Sequence, residues 1–180
     1  MLPALVCVEA SNLAAPGSLL RQPSAPVTAI DASVRELVAE LRRVLASIPH
    51  GGGLAAVQIG VPLQLAIVNA GRTPESEIVL INPRVLSLSG RMVVRREGCL
   101  SLPDHAAPVR RRNKIAVETL TLDGDVTTVK RRGFDATVIQ HELDHMSGLF
   151  YWDRLDQGTV PTVIDDGDWA PERPSQSTRA

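Results

Sequence analysis

Residues 141–145 read His-Glu-Leu-Asp-His, a spacing that on a helix sends two imidazoles out of one face. Side chains four residues apart are separated by about 5 to 6 Å at Cβ, so His141 and His145 can share one small metal ion. Glu142 projects roughly 100° around the axis, where its carboxylate borders such an ion without ligating it and can take a proton from water activated there. The plainer alternative is a solvated helix rich in His and Glu. The flanks argue against it, because Phe134, Val138 and His141 fall at helical spacing with Ile139 beside them, and the face carrying the first histidine continues an apolar stripe.

Two histidines hold a metal loosely, and a catalytic site of this type uses three protein ligands with a fourth position open for water. No histidine follows His145, and the acids beyond it lie largely in a sparse polar stretch, so a downstream third ligand is poorly supplied. Upstream, Glu97-Gly98-Cys99-Leu100-Ser101 contains the only cysteine besides Cys7. A thiolate is a strong ligand for divalent metals, although a lone cysteine is more commonly a small buried hydrophobe. A third segment, residues 51–58, reads Gly-Gly-Gly-Leu-Ala-Ala-Val-Gln. Its glycines permit close backbone approach to an extended ligand, with an ordinary flexible loop as the alternative.

In that order, the Gly-x-Gly-Leu-Ala-Ala-x-Gln, Glu-Gly-Cys-Leu-Ser and His-Glu-x-x-His stretches resemble peptide deformylase. Leu19-Leu20-Arg21 with Ala25-Pro26-Val27, and Ile81-Asn82-Pro83, extend the likeness over roughly residues 17 to 156. The resemblance implies removal of the N-formyl group from the formyl-methionine of newly synthesised polypeptides, with release of formate. It implies Cys99, His141 and His145 as metal ligands, Glu142 as acid and base, and the Gln58 amide with the Leu100 backbone N–H as donors to the developing oxyanion. Gly53 and Leu54 would offer backbone hydrogen bonds to the peptide. Phe134 and Val138, two turns and one turn before His141, are candidates for the wall of the methionine pocket or for plain core.

Thiolate with two imidazoles tolerates iron, zinc, nickel or cobalt, and affinity alone selects none of them. The resemblance implies Fe2+ as the native ion, with Zn2+, Ni2+ or Co2+ able to substitute. Two departures bear on the substrate. Arg95 and Arg96 precede Glu97 where many relatives carry acidic or apolar residues, and residues 104–107 lack an arginine that some relatives use to touch the peptide. A zinc endopeptidase in which Cys99 is incidental, and a catalytically idle metal-binding relative, are the rival readings.

The elements that must position these groups are also legible. Residues 33–45 place Val34, Leu37, Val38, Leu41, Val44 and Leu45 on one helical face, and Ser33 with Glu36 reads as a capping box. Short β-rich runs follow at 63–68, 77–81, 85–88 and 92–94, then 115–122 and 126–130 flank the turn Asp123-Gly124-Asp125. The motif helix is expected over 135–147, ended by Gly148. The expected fold is α+β, with antiparallel sheets packed around a central metal-binding helix and an N-terminal helix.

The 180 residues, 44% hydrophobic and 3% aromatic, suit one domain with an aliphatic core, and a net charge of −1 gives no global case for DNA or an anionic membrane. Residues 1–16 read as a poorly ordered extension without a basic start, 17–156 as the catalytic domain, and 157–180 as a polar, flexible tail. A cytoplasmic location is expected from Cys99 as a thiolate in a reducing compartment. His50 and His105 are assigned to the surface. Arg110-Arg111-Arg112 and Lys130-Arg131-Arg132 read as a solvated strand edge, with a transient ribosome contact as the alternative.

Overall fold

Apolar stripes and alternating runs build two α-helices and two antiparallel sheets in the computed structural model, which describes residues 3–9 and 18–164. Helix α1 (Ala32–Ser47) buries Val34, Leu37, Val38, Leu41, Val44 and Leu45, the stripe its sequence lays out at helical spacing. Its cap differs from expectation. Asp31, not Ser33, precedes the first turn, and its carboxylate accepts from the Val34 N–H at 3.2 Å while the Ser33 hydroxyl donates to Asp31. A carboxylate at that place satisfies an N–H the helix cannot, and it suits the positive end of the helix dipole.

Strands β1 (Gly53–Ala55), β2 (Leu65–Val68) and β3 (Ile78–Ile81) form the smaller sheet in that order. Leu-Ala-Ile-Val in β2 is buried throughout because both of its faces are covered. Leu65 and Ile67 join the cluster built on α1, whereas Ala66 and Val68 join the one containing Ala136, Val138 and Ile139 of α2 (Phe134–Met146). Successive strand side chains point to opposite faces, so a strand between two helices reads as an unbroken apolar run.

The larger sheet holds β4 (Arg84–Cys99), β5 (Leu102–Leu120) and β6 (Val126–Arg132) in order, with β7 (Thr162–Val163) also on β5. The runs expected at 85–88 and 92–94 are one strand. It is interrupted by register shifts, one of them spanning Gly90 at φ +74°. Thr119 ties the two sheets together, its hydroxyl accepting from Ile81 N–H at 2.7 Å and donating to the Ile81 carbonyl at 3.0 Å. Asn82, in the left-handed region at φ 49°, accepts from Val27 N–H and donates to Val27 C=O, which explains the Ile-Asn-Pro stretch.

Helix α2 lies against β1, β2, β5 and β6. It ends at Gly148 as expected: Leu149 N–H reaches Asp144 C=O and Gly148 N–H reaches His145 C=O, the paired bonds of a Schellman cap. Gly148 has φ +72°, and a Cβ there would lie 2.5 Å from the Arg21 carbonyl oxygen.

Both chain ends depart from expectation where they are described. Val6 N–H donates to Gln58 C=O and Val8 N–H to Ser101 C=O, each at 2.8 Å, so residues 3–9 are held by backbone bonds. Ile164 is buried and its N–H donates to Asp104 C=O. Both stretches look weak by composition because main-chain pairing carries them. Residues 1–2, 10–17 and 165–180 lie outside the described residues. No helix among the described residues is long and apolar enough to cross a membrane.

Candidate metal centre

One helix and one strand end converge at the site. His141 and His145 leave the same face of α2 with ring centroids 4.9 Å apart and planes at 78°. Cys99, the last residue of β4, follows a register shift after Gly98 that turns the chain towards α2. Its Sγ lies 3.2 Å from His145 Nε2. One ligand atom each from Cys99, His141 and His145 falls within 4.8 Å of the others. With bonds of about 2.3 Å to sulfur and 2.0 to 2.1 Å to nitrogen, a tetrahedral ion separates S and N by about 3.6 Å. The observed contact is within a few tenths of that, so the donor set fits a divalent metal. Cys7 is exposed and stands outside the group.

The sulfur sits in a polar cradle. It accepts from Ser101 N–H at 3.4 Å and from Gln58 Nε2 at 3.7 Å. Gln58, on the 3₁₀ turn Ala56–Ile59, is fixed at both ends, since its Oε1 accepts from Ala55 N–H at 2.9 Å and its Nε2 donates to Ser101 Oγ at 3.1 Å. The amide nitrogen therefore points at the site. Leu100 lies half-buried in the turn beyond Cys99.

Behind His141 stands a buried ionic network. His141 Nδ1 lies 3.1 Å from Glu97 Oε2, which leaves Nε2 for a ligand. Arg111 donates to both Glu97 oxygens, at 2.8 and 2.9 Å, and to Asp144 at 2.6 Å, while Arg154 holds the other Asp144 oxygen. A carboxylate behind a ligating imidazole fixes its tautomer and orientation. Burial pushes the Glu97 carboxyl up, but the bonds from His141 and Arg111 outweigh it and hold the group below its ordinary value. Burial keeps His145 neutral, the state in which imidazole ligates, whereas contacts with Cys99 and Glu97 draw His141 up against its own burial.

Sequence reasoning missed Arg111, read as solvated strand, as well as the pairing of Glu97 and Asp144. Arg111 is buried because β5 is an inner strand and its odd positions face α2, while Arg110 and Arg112 on either side point to solvent. Only the carboxylates embedded in the two motifs hinted that a buried cation must exist.

Glu142 is 2% exposed, and its Oε2 has no hydrogen-bond partner among the described residues. Burial first, then repulsion from Glu97 and Asp144, push its carboxyl up to about 7. A carboxylate held near neutrality and left unpaired suits proton transfer. The glycine run is explained by the same neighbour. A Cβ on Gly53 would come 2.5 Å from Glu142 Oε1 and 2.8 Å from Val138 Cγ1, so only glycine lets β1 lie against α2 here. Val138 is buried beside Gly52 and Gly53, but Phe134 is 43% exposed rather than inward, its ring edge reaching only towards Gly52. The Leu54 side chain belongs to the α1 core. His50 is exposed, and His105 is half-buried with Nδ1 2.9 Å from Pro103 C=O.

Comparisons with known proteins agree on one family. Its model, described as polypeptide deformylase, matches residues 12–160. Peptide deformylase of Rhizobium meliloti (strain 1021) is 40% identical over 151 residues, 83% of this chain and 86% of that one. The Mesorhizobium japonicum enzyme is 37% identical over 142 residues, 78% and 80% of the two chains. Among solved structures, a peptide deformylase from Legionella pneumophila superposes with TM-score 0.78 at 30% identity, covering 87% of this chain and 88% of that one. A class I type b enzyme from Acinetobacter baumannii, solved with Met-Ala-Ser bound, gives 0.74 at 28% identity, covering 86% and 100%.

Proposed function

The chain belongs to the polypeptide deformylase family, and from that footing we infer a metal-dependent hydrolase that removes the formyl group from N-terminal formyl-methionine of new polypeptides. The observation that carries this reading is the convergence of one sulfur and two imidazoles beside a buried, unpaired carboxylate. Cys99, His141 and His145 would hold the cation. When bound, it supplies Lewis-acid activation, lowering the pKa of water from ~15.7 towards neutrality. Thiolate and imidazole ligands are compatible with Fe2+, our assignment, and with Zn2+, Ni2+ or Co2+ in its place.

The residues divide the work as follows. Glu142 takes a proton from water as the oxygen attacks the formyl carbon, and it returns that proton to the methionine nitrogen as the C–N bond breaks, giving formate and a free amine. The Gln58 amide and Leu100 N–H donate to the oxygen on which charge develops. Backbone groups of Gly53 and Leu54 align the peptide, a role supported by the outer edge of β1, which pairs with no other strand among the described residues. Val138 and Phe134 flank the methionine side chain. A cytoplasmic location follows from where such substrates are made. The reading is tested by formate release from formyl-Met-Ala-Ser using anaerobically prepared, iron-loaded protein. Activity no greater than a Glu142→Ala control would refute it.

Three outcomes are expected here. Cys99→Ala loses bound metal and turnover together, read by elemental analysis and formate release, whereas retention of both would favour an endopeptidase-like centre of two histidines. Gln58→Leu removes a donor worth ~2.7 to 4 kcal/mol in the transition state, so kcat falls by about two to three orders of magnitude with metal content unchanged. Arg95 lies two residues before Glu97 on the same face of β4, and its Nε is buried without a hydrogen-bond partner among the described residues. A charge-assisted bond is worth ~1.5 to 3 kcal/mol, so peptides with Asp after formyl-Met should show roughly tenfold higher kcat/KM than those with Lys, and Arg95→Ala should erase the difference.

A further inference from the structure

Gln58 and Ser101 stand 43 residues apart, the first on the 3₁₀ turn after β1 and the second in the turn that joins β4 to β5, yet their side chains share a bond of 3.1 Å. The N-terminal stretch lies across both. Val6 N–H donates to the Gln58 carbonyl and Val8 N–H to the Ser101 carbonyl, each at 2.8 Å, and between them the Cys7 thiol lies 3.9 Å from the Leu100 carbonyl oxygen. Alternate N–H groups of an extended chain leave the same edge about 7 Å apart, two steps of ~3.4 Å, so residues 6 and 8 can grip two separate carbonyls at once. Side chains anchor the grip. Leu5 packs against the α1 cluster, Val6 against the cluster of Ala55, Val57 and Ala136, and Val8 against that cluster as well as the one holding Cys99 and Leu102.

Neither gripped carbonyl belongs to a metal ligand or to Glu142. One is the main chain of Gln58 itself, and the other lies one residue beyond Leu100, so both ends of the grip fall on the side of the site that carries the two oxyanion donors. We propose that residues 5–8 form a positioning strap for those donors, fixing the Gln58 amide relative to the Leu100 N–H, an inference that rests on the deformylase reading for what the donors do. The strap touches no reacting atom and acts only through the two turns it ties together. Donors that meet charge only in the transition state raise kcat and leave ground-state binding alone. Loosening the strap should therefore lower kcat with KM and bound metal unchanged, because small misplacements of a catalytic group are costly.

The test uses the full, metal-loaded chain with Val6→Pro and Val8→Pro, each of which deletes one backbone N–H. Each variant is expected to release formate from formyl-Met-Ala-Ser with kcat lowered about tenfold, at the parent's KM and metal content, the latter certifying the fold. Val6→Ala and Val8→Ala trim the anchoring side chains but keep the N–H groups, and should retain most of kcat. Adding Val6→Pro to Gln58→Leu should cost nothing further, since the strap acts through an amide already removed, whereas a merely structural role would multiply the two losses. A second readout needs no turnover. In isotope-labelled protein the Gln58 side-chain amide, held by Ser101 Oγ, should exchange with heavy water about tenfold faster in the proline variants than in the parent or the alanine variants. Parent kcat in both proline variants, an equal fall in the alanine variants, a multiplied loss in the double variant, or unaltered amide exchange would overturn the proposal. Absence of formate release by the parent protein would instead count against the deformylase reading, with the strap then judged on the amide exchange.

Discussion

Glu142→Gln is expected to lower kcat by about 10²- to 10⁴-fold, the usual contribution of a positioned general acid and base, while bound metal stays at the parent level. Glutamine keeps the volume of the buried side chain but cannot take up a proton. The same substitution should raise the stability of chelated protein. With the folded carboxyl pushed up to about 7 from an ordinary 4.5, the unfolded chain ionises first as pH rises. Stability is therefore full below the unfolded value and declines between about pH 4.5 and 7, by roughly 3 kcal/mol. Glu142→Gln removes that slope. Urea melts of the two chelated proteins at pH 5 and pH 8 read it directly, and parallel pH dependences would contradict the assigned environment. In the working enzyme, protonation of Glu142 as pH falls predicts a loss of kcat/KM on the acid side.

Arg111→Met is the second large effect. The guanidinium is 5% exposed and is shared by Glu97 and Asp144, so its removal leaves Glu97 with only His141, and Asp144 with only the half-exposed Arg154, as buried carboxylates short of charge. Breaking a buried pair in this way costs about 3 to 5 kcal/mol. The pH dependence changes sign as well. In the parent, the depressed Glu97 carboxyl contributes stability that is present above its unfolded value and lost as pH falls through its lower folded value. Without Arg111, the stranded acids become costly as pH rises. Adding Glu97→Gln and Asp144→Asn should restore part of the stability, but not the orientation of His141, so metal affinity should remain about 10- to 100-fold weaker. Denaturant melts and metal titrations on the single and triple variants separate the two contributions.

Local features were plain in the sequence because each depends on neighbours only a few residues away. The i, i+4 histidines follow from the helical period, the α1 stripe from the same period, and the stop at Gly148 from a left-handed position that glycine tolerates. The hairpin around Asp123-Gly124-Asp125 was legible for the same reason, with Gly124 at φ +89°. Capping was less so, since Asp31 and Ser33 both offer an oxygen near the helix start and only the backbone path decides which one accepts.

What no local pattern contained was partnership across the chain. Cys99 is 46 residues from His145, and its meeting with that imidazole depends on a register shift at the end of β4 and on how α2 lies over the larger sheet. Arg110, Arg111 and Arg112 are identical in composition yet divide between solvent and core, because alternation along a strand fixes opposite faces and tertiary packing decides which face is covered. Residues 3–9 look dispensable by composition, but backbone bonds tie them to Gln58 and Ser101, two residues that also touch the Cys99 sulfur. The sequence by itself determined the ligand types and the helix that spaces two of them, since those rest on short-range geometry. Only the tertiary structure decided which acids, cations and sulfur share one dry volume, because burial and long-range contact belong to the folded chain as a whole.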